Sequence, residues 1–370
     1  MPKGKLKRDA RAAAYRGDTD TIGRAWLAPV VIAVFSAALM LIVAAVEGLP
    51  LRDPDARYVG SPLALIGVIA GIFLVADLVP RSWRRSRQTG NSLPASFVGV
   101  FEERWWGRRG LIVIASLLAF YVTYISYRNL KSYLPFVTDA NFDGELLSTE
   151  RSIFFGNDPA SMLHDLLGTG FTAEFLSAVY LAFLTFVPIS LAVALIWSNR
   201  VKVGITYVSA LSICWILGAM SYYVLPALGP VFADPQVFAA LPETGVSRLQ
   251  ETLLEHRREV LADPLATNAV QSIAAFASLH TGVLFAAALV AHRSRSHGAV
   301  RYGLWAMLGL TLIATVYFGW HYIVDDFAGL FIGAFAVLGA ERLTKRLSGS
   351  PTTERSLIPE ALPGSSRAAP

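Results

Sequence analysis

The stretch 302–340, YGLWAMLGLTLIATVYFGWHYIVDDFAGLFIGAFAVLGA, sets two apolar runs either side of a polar knot formed by His321, Asp325 and Asp326. Each run approaches the roughly 20 residues that a helix needs to cross a bilayer core. Ionisable groups at such a boundary are costly to bury and are functional candidates by default. A second knot, Ala277-Ser278-Leu279-His280, opens another apolar run. Two imidazoles and a carboxylate thus fall at the ends of hydrophobic helices.

The rest of the chain fits this reading. Of its 370 residues, 54% are hydrophobic and 16% charged, with a mean hydropathy of +0.49. Soluble domains average about 25% charged residues, so the composition points to an all-α, polytopic membrane bundle. The net charge of +5 is spread over short clusters between apolar runs, which fits topology determinants and not a nucleic-acid groove. The lone Cys214 sits inside an apolar run and reads as packing. A basic start precedes a first run long enough to span, so it reads as an anchor and not a cleaved signal.

Eight spans are expected, near 25–47, 62–79, 110–127, 173–197, 203–225, 273–292, 302–320 and 325–341. His280 and its neighbours make the sixth the least hydrophobic. Arginines crowd alternate connections: 80–109 holds Arg81, Arg84, Arg85, Arg87, Arg104, Arg108 and Arg109, and later ones hold Arg200, Lys202, Arg293, Arg295, Arg301, Arg342, Lys345 and Arg346. The positive-inside rule puts those loops and both termini in the cytoplasm. His280, His321 and Asp325 then face outward. Four parts follow: a basic arm (1–24), two accessory spans with an amphipathic linker rich in Arg and Trp (25–109), a six-helix catalytic core (110–346) and a disordered tail (347–370). Short amphipathic helices are expected at 158–168 and 243–262.

His321 and Asp325 are four residues apart, so in a helix they share a face and can hydrogen-bond. An Asp that accepts from one imidazole nitrogen leaves the other free as a nucleophile. His280 could protonate a leaving oxygen. Asp326 reads as a helix N-terminal charge, and His164 and His256 as loop histidines, with His292 and His297 on the cytoplasmic side. Ser278 lacks a nucleophile-elbow setting and reads as a support for His280 or for phosphate.

The segment Thr315 to Gly329 resembles the third motif of the type 2 phosphatidic acid phosphatase superfamily, with a His-Tyr-x-x-Asp pattern and a following Gly. It is most similar to the branch that contains inositol phosphorylceramide synthase. Ser278-Leu279-His280 resembles that branch's second motif, and Tyr223-Val224-Leu225-Pro226-Ala227-Leu228-Gly229-Pro230 its upstream Gly-Pro stretch. The resemblance implies that His321 attacks phosphorus, Asp325 orients it and His280 protonates the leaving group, with no metal or other cofactor. A lipid in the bilayer would be the substrate, and water or an alcohol the acceptor.

Two departures stand out. The Arg that phosphatases place six residues before the histidine is Thr315 here, and the first motif's Lys-x6-Arg-Pro is missing. A phosphate still needs cationic partners. Arg128 and Lys131, just beyond the third span, are the best placed among the outward cations Arg128, Lys131, Arg151, Arg248, Arg257 and Arg258. Ser278, Tyr322 and Gly229 complete the expected binding set. The missing arginines favour transfer, for example of a phosphoinositol headgroup. Hydrolysis of a lipid phosphate or polyprenyl diphosphate is the alternative, and a proton-coupled transporter or a His/Asp metal site lies outside the class. Oligomeric state stays open.

Overall fold

The computed structural model describes residues 22–53 and 62–349. The expected basic arm lies outside the described residues for all but its last three positions, and the expected tail for all but its first three. The described chain is all helical: α1 Leu27–Glu47, α2 Pro62–Thr89, α3 Leu93–Arg104, α4 Arg108–Val137, α5 Asp143–Ile153, α6 Pro159–Leu167, α7 Phe171–Ala192, α8 Val201–Val224, α9 Gly245–Ala262, α10 Leu279–Arg293, α11 Gly298–Tyr317 and α12 Ile323–Ser348. α7 runs on into a π-helical turn over Val193–Trp197.

Seven described helices are long and apolar enough to span a membrane: α1, α2, α4, α7 with its π turn, α8, α11 and α12. This is an integral membrane protein. The expected span at 273–292 instead has an irregular entry, and helix begins only at Leu279. The reason is tertiary. The backbone of 270–278 bonds to other segments, with Ala275 N–H donating to the Ala227 carbonyl (2.8 Å) and Ser278 N–H to the Asp325 carbonyl (3.0 Å). Those donors are not free for an i→i−4 ladder. The short amphipathic helices form close to the expected positions, as α6 and α9.

α8 is the hub. Buried residues cover all its faces, including Val208, Leu211, Cys214, Trp215 and Tyr222, as expected of a helix apolar all round. It packs against α4, α10, α12 and α1. The outer helices turn apolar side chains outward instead: Val34, Phe35 and Ile42 on α1, Ile72 and Val75 on α2, Leu111 and Ile114 on α4, Phe331 and Phe335 on α12. In water such a surface would drive aggregation; in lipid it is the contact face.

The Arg/Trp linker differs from expectation. It forms the end of α2 plus α3, and much of its charge turns inward. The buried Asp77 carboxylate accepts from Arg81 Nε (2.8 Å), Arg104 Nε (2.6 Å) and Trp105 Nε1 (3.3 Å), and Arg104 continues to Asn199 Oδ1 (2.8 Å). Sequence could not show Asp77 as the partner because it sits 27 residues away from Arg104. Trp83 and Trp106 stay exposed, while Trp105 is buried.

Candidate active site

The two histidines meet because α10 and α12 touch through glycine. A Cβ on Gly329 would lie 2.2 Å from the Ser278 carbonyl oxygen, one on Gly333 2.5 Å from that of Gly282, and one on Gly282 2.9 Å from that of Gly329. Only residues without side chains allow this approach, the small-residue packing familiar between membrane helices. Ser278 caps α10, its Oγ accepting from Thr281 N–H (3.4 Å). His280 follows in the first turn, its ring 5.8 Å from that of His321 and packed against Tyr180 (4.5 Å) and Phe183 (4.4 Å) of α7.

His321 is held differently from the expected pair. Its Nδ1 lies 2.9 Å from the Ala275 carbonyl oxygen and 3.6 Å from Asp325 Oδ2. A carbonyl only accepts, so Nδ1 carries the proton and Nε2 keeps its lone pair. The helix starts at Ile323, after His321, so the pair does not share a helical turn. Asp325 instead caps α12, with Oδ2 accepting from Tyr322 N–H (2.9 Å), while its buried Oδ1 has no hydrogen-bond partner. Burial pushes the His321 imidazole down to about 4, against the raising effects of Asp326 and the Ala275 carbonyl. It is neutral near pH 7, the form a nucleophile needs.

Asp326 does more than charge a helix end. It is 4% exposed and accepts from Thr281 Oγ1 of α10 (2.6 Å) and Thr315 Oγ1 of α11 (2.9 Å). The Thr315 carbonyl also accepts from the N–H groups of Trp320 (2.9 Å) and His321 (3.4 Å). Thr315, at the position where the resembled phosphatases carry an arginine, therefore pins the loop that carries His321.

A second buried carboxylate orders the loops beside the site. Asp143 of α5 accepts from the N–H groups of Leu228 (2.9 Å) and Gly229 (2.9 Å) and from Tyr322 Oη (3.1 Å). Gly229 has φ +115°, and a Cβ there would lie 2.7 Å from the Trp320 carbonyl oxygen. Its N–H is thus engaged by Asp143, and Tyr322 Oη likewise. Glu150 accepts from Ile323 N–H (2.7 Å), and burial pushes its carboxyl up to about 7.

The expected cations take unequal places. α4 continues ten residues beyond the expected end of its span, so Arg128 and Lys131 lie within the helix and not in a loop. Helix persists there because the face holding Tyr127, Leu130 and Leu134 stays buried. Lys131 is 9% exposed, with Nζ 4.6 Å from the Tyr222 ring, and its charge reaches both histidines. Arg128 points to Tyr124, donating to its Oη (3.0 Å). Arg151 joins Asp158 (2.8 Å) and Asp234 (2.7 Å).

Two openings adjoin the site. His321 lines a narrow cleft with Glu150, Asp158, Pro230, Asp234 and Phe238. Beside it, α6, α11 and α12 enclose an apolar groove of about 530 Å³, lined by Met162, Leu163, Leu166, Ile313, Phe327 and Leu330. Pro159 and Val316 border both. α6 is fastened over them by His164, which lies in this helix and not in a loop as expected, and whose Nε2 lies 2.8 Å from the Tyr317 carbonyl oxygen.

Ser278, His280, His321, Asp325 and Lys131 are thus drawn together from α4, from α10 and its cap, and from α12 and the turn before it. Ala275, Asp326, Asp143, Glu150 and Tyr180 were not expected there, and only Asp326 carried a signal, its place beside Asp325. Such an arrangement belongs to an integral membrane helix bundle with two neighbouring histidines at one end of its helices. Residues 144–339 match the family model of the PAP2 superfamily, more than half the chain, and the chain belongs to that superfamily. No curated protein and no solved structure matches it.

Proposed function

We propose that the protein is a lipid phosphotransferase working through a phosphohistidine at the extracytoplasmic face. The observation that carries this is the fixed tautomer of His321, with Nδ1–H on the Ala275 carbonyl and Nε2 unprotonated. Nε2 attacks phosphorus, the bond to the leaving oxygen breaks, and His280 supplies that oxygen's proton. An acceptor hydroxyl then attacks phosphorus as the P–N bond breaks, its proton returning to His280. Asp325 balances the charge developing on the His321 ring, and Lys131 that on the phosphoryl oxygens. Ser278, Arg128, Tyr322 and Gly229 complete the substrate pocket as ligands or as its wall.

The groove beside the cleft supports a lipid as donor, since its lining suits an acyl chain and its end meets the cleft. The outward orientation rests on the arginine clusters at the opposite helix ends. Motif likeness favours the inositol phosphorylceramide synthase branch, hence a phosphoinositol-type headgroup.

The test is incubation of reconstituted protein with labelled phosphatidic acid, phosphatidylinositol and a polyprenyl diphosphate, with and without added alcohols. Acid-labile, alkali-stable label should appear on the wild type and not on His321→Ala. Label passing to the alcohol supports transfer, and release as free phosphate supports hydrolysis. Full turnover by His321→Ala would remove the nucleophile.

A further inference from the structure

The cleft over His321 is shut by two walls, and one arginine holds them together. Leu147, Glu150, Asp158 and Pro159 form one wall, Pro230, Asp234 and Phe238 the other. Arg151 spans them, Nε on Asp158 Oδ1 and Nη2 on Asp234 Oδ2. A free volume of about 10 Å³ cannot admit a phosphoryl group, so the walls must part for any substrate.

The strength of the strap decides how it parts. The side chains of Arg151, Asp158 and Asp234 are 36%, 21% and 29% exposed. Ion pairs this wet contribute little to stability. The Arg104–Asp77 pair at the other end of the bundle is 1% and 2% exposed, a setting where breaking a pair is far costlier. The strap over His321 is therefore the weaker of the two.

An anionic lipid phosphate matches the guanidinium fork at two oxygens. A monoester such as phosphatidic acid also carries more charge than one carboxylate, whereas in phosphatidylcholine the choline ammonium offsets the phosphate. We infer that Arg151 is a substrate-binding latch: the headgroup phosphate takes it from Asp234, and this exchange opens the cleft above His321. Asp158, which meets both Nε and Nη2, keeps the guanidinium aimed as Asp234 lets go. The same lipid's chain lies in the groove under α6, which brings its phosphate to the cleft at Pro159 and Val316. The inference rests on the proposed lipid phosphate substrate, and not on the chemistry of His321.

The test reads opening and not turnover. Val237→Cys and, separately, Leu147→Cys place a thiol on opposite walls of the cleft, and the native Cys214 is buried. Both are made on His321→Ala, so no lipid is consumed, and labelled with a water-soluble maleimide in nanodiscs. With phosphatidylcholine alone labelling should be slow; phosphatidic acid or phosphatidylinositol should speed it about tenfold. Arg151→Gln should label fast in every lipid. Equal rates in all lipids, or Arg151→Gln labelling as slowly as its parent, overturn the latch. A failure of the catalytic reading would show instead as turnover by His321→Ala and leave these rates unchanged.

Discussion

The Nδ1 of His321 is 2.9 Å from the carbonyl oxygen of Ala275, closer than it is to the carboxylate four residues along the chain. The main chain of an irregular segment therefore chooses the tautomer. Asp325 acts on the ring from 3.6 Å and spends one oxygen on capping α12. The division of labour differs from a triad in which one carboxylate does both jobs.

Asp325→Asn follows from this. Where the orienting Asp alone sets the tautomer, its loss costs about 10⁴-fold in kcat. Here the Ala275 carbonyl remains, and an Asn can still accept from Tyr322 N–H, so the loss should be about 10²-fold. Steady-state kinetics on the labelled lipid checks it. A fall as deep as that of His321→Ala would show that the carbonyl is no substitute.

Two groups outside the spans give stability opposite pH slopes. His321 has a folded value of about 4, below its usual 6.5, so the unfolded chain binds more protons between them and stability is lost as pH falls through that window. Glu150 has a folded value of about 7, above its usual 4.5, so stability is lost as pH rises from 4.5 through 7. Glu150→Gln should therefore raise the melting temperature more at pH 8 than at pH 5. His321→Gln should flatten the acid side of the profile. Melting curves in detergent across that range decide both.

The glycine contact between α10 and α12 predicts a sharp contrast. Gly329→Ala puts a methyl 2.2 Å from the Ser278 carbonyl oxygen, a backbone atom that cannot swing aside. Overpacking of this kind costs about 1–3 kcal/mol, and it should separate His280 from His321 and cut activity. Gly303→Ala on α11 meets nothing within 4 Å, and should be neutral or stabilising by up to about 1 kcal/mol. Thermal unfolding and turnover of the two variants test the difference.

Lys131 and Arg128 should separate in kinetics. Lys131→Met keeps a stem over the Tyr222 ring but removes the charge felt by both histidines. A charge-assisted contact to phosphate lost there should cost about 1.5–3 kcal/mol, roughly 10- to 100-fold in kcat/KM. Arg128→Met, whose guanidinium is turned to Tyr124, should change kcat/KM much less. The reverse order would reassign the phosphate's cation.

Legibility followed the kind of force involved. The spans could be read because apolar runs of sufficient length have one outcome in lipid, and seven described helices meet that criterion. The entry to α10 was harder, since its backbone partners Ala227 and Asp325 lie far along the chain. The motif residues His280, His321 and Asp325 stood out because charge at a membrane boundary is conspicuous. Their actual partners did not.

By itself, the sequence determined that this chain enters the membrane as a helical bundle and carries two imidazoles and carboxylates at one end of it. Those are properties of runs and of residue types, and need no knowledge of neighbours. Tertiary structure alone decided that Ala275 sets the His321 tautomer, that Thr281 and Thr315 engage Asp326, that Asp143 ties Gly229 to Tyr322, and that Arg151 straps the cleft. Each is a hydrogen bond or ion pair whose energy falls away within an ångström of its optimum. The packing of α10 and α11 against α12, and the folding of α5 and the segment between α8 and α9 over their ends, supply that distance.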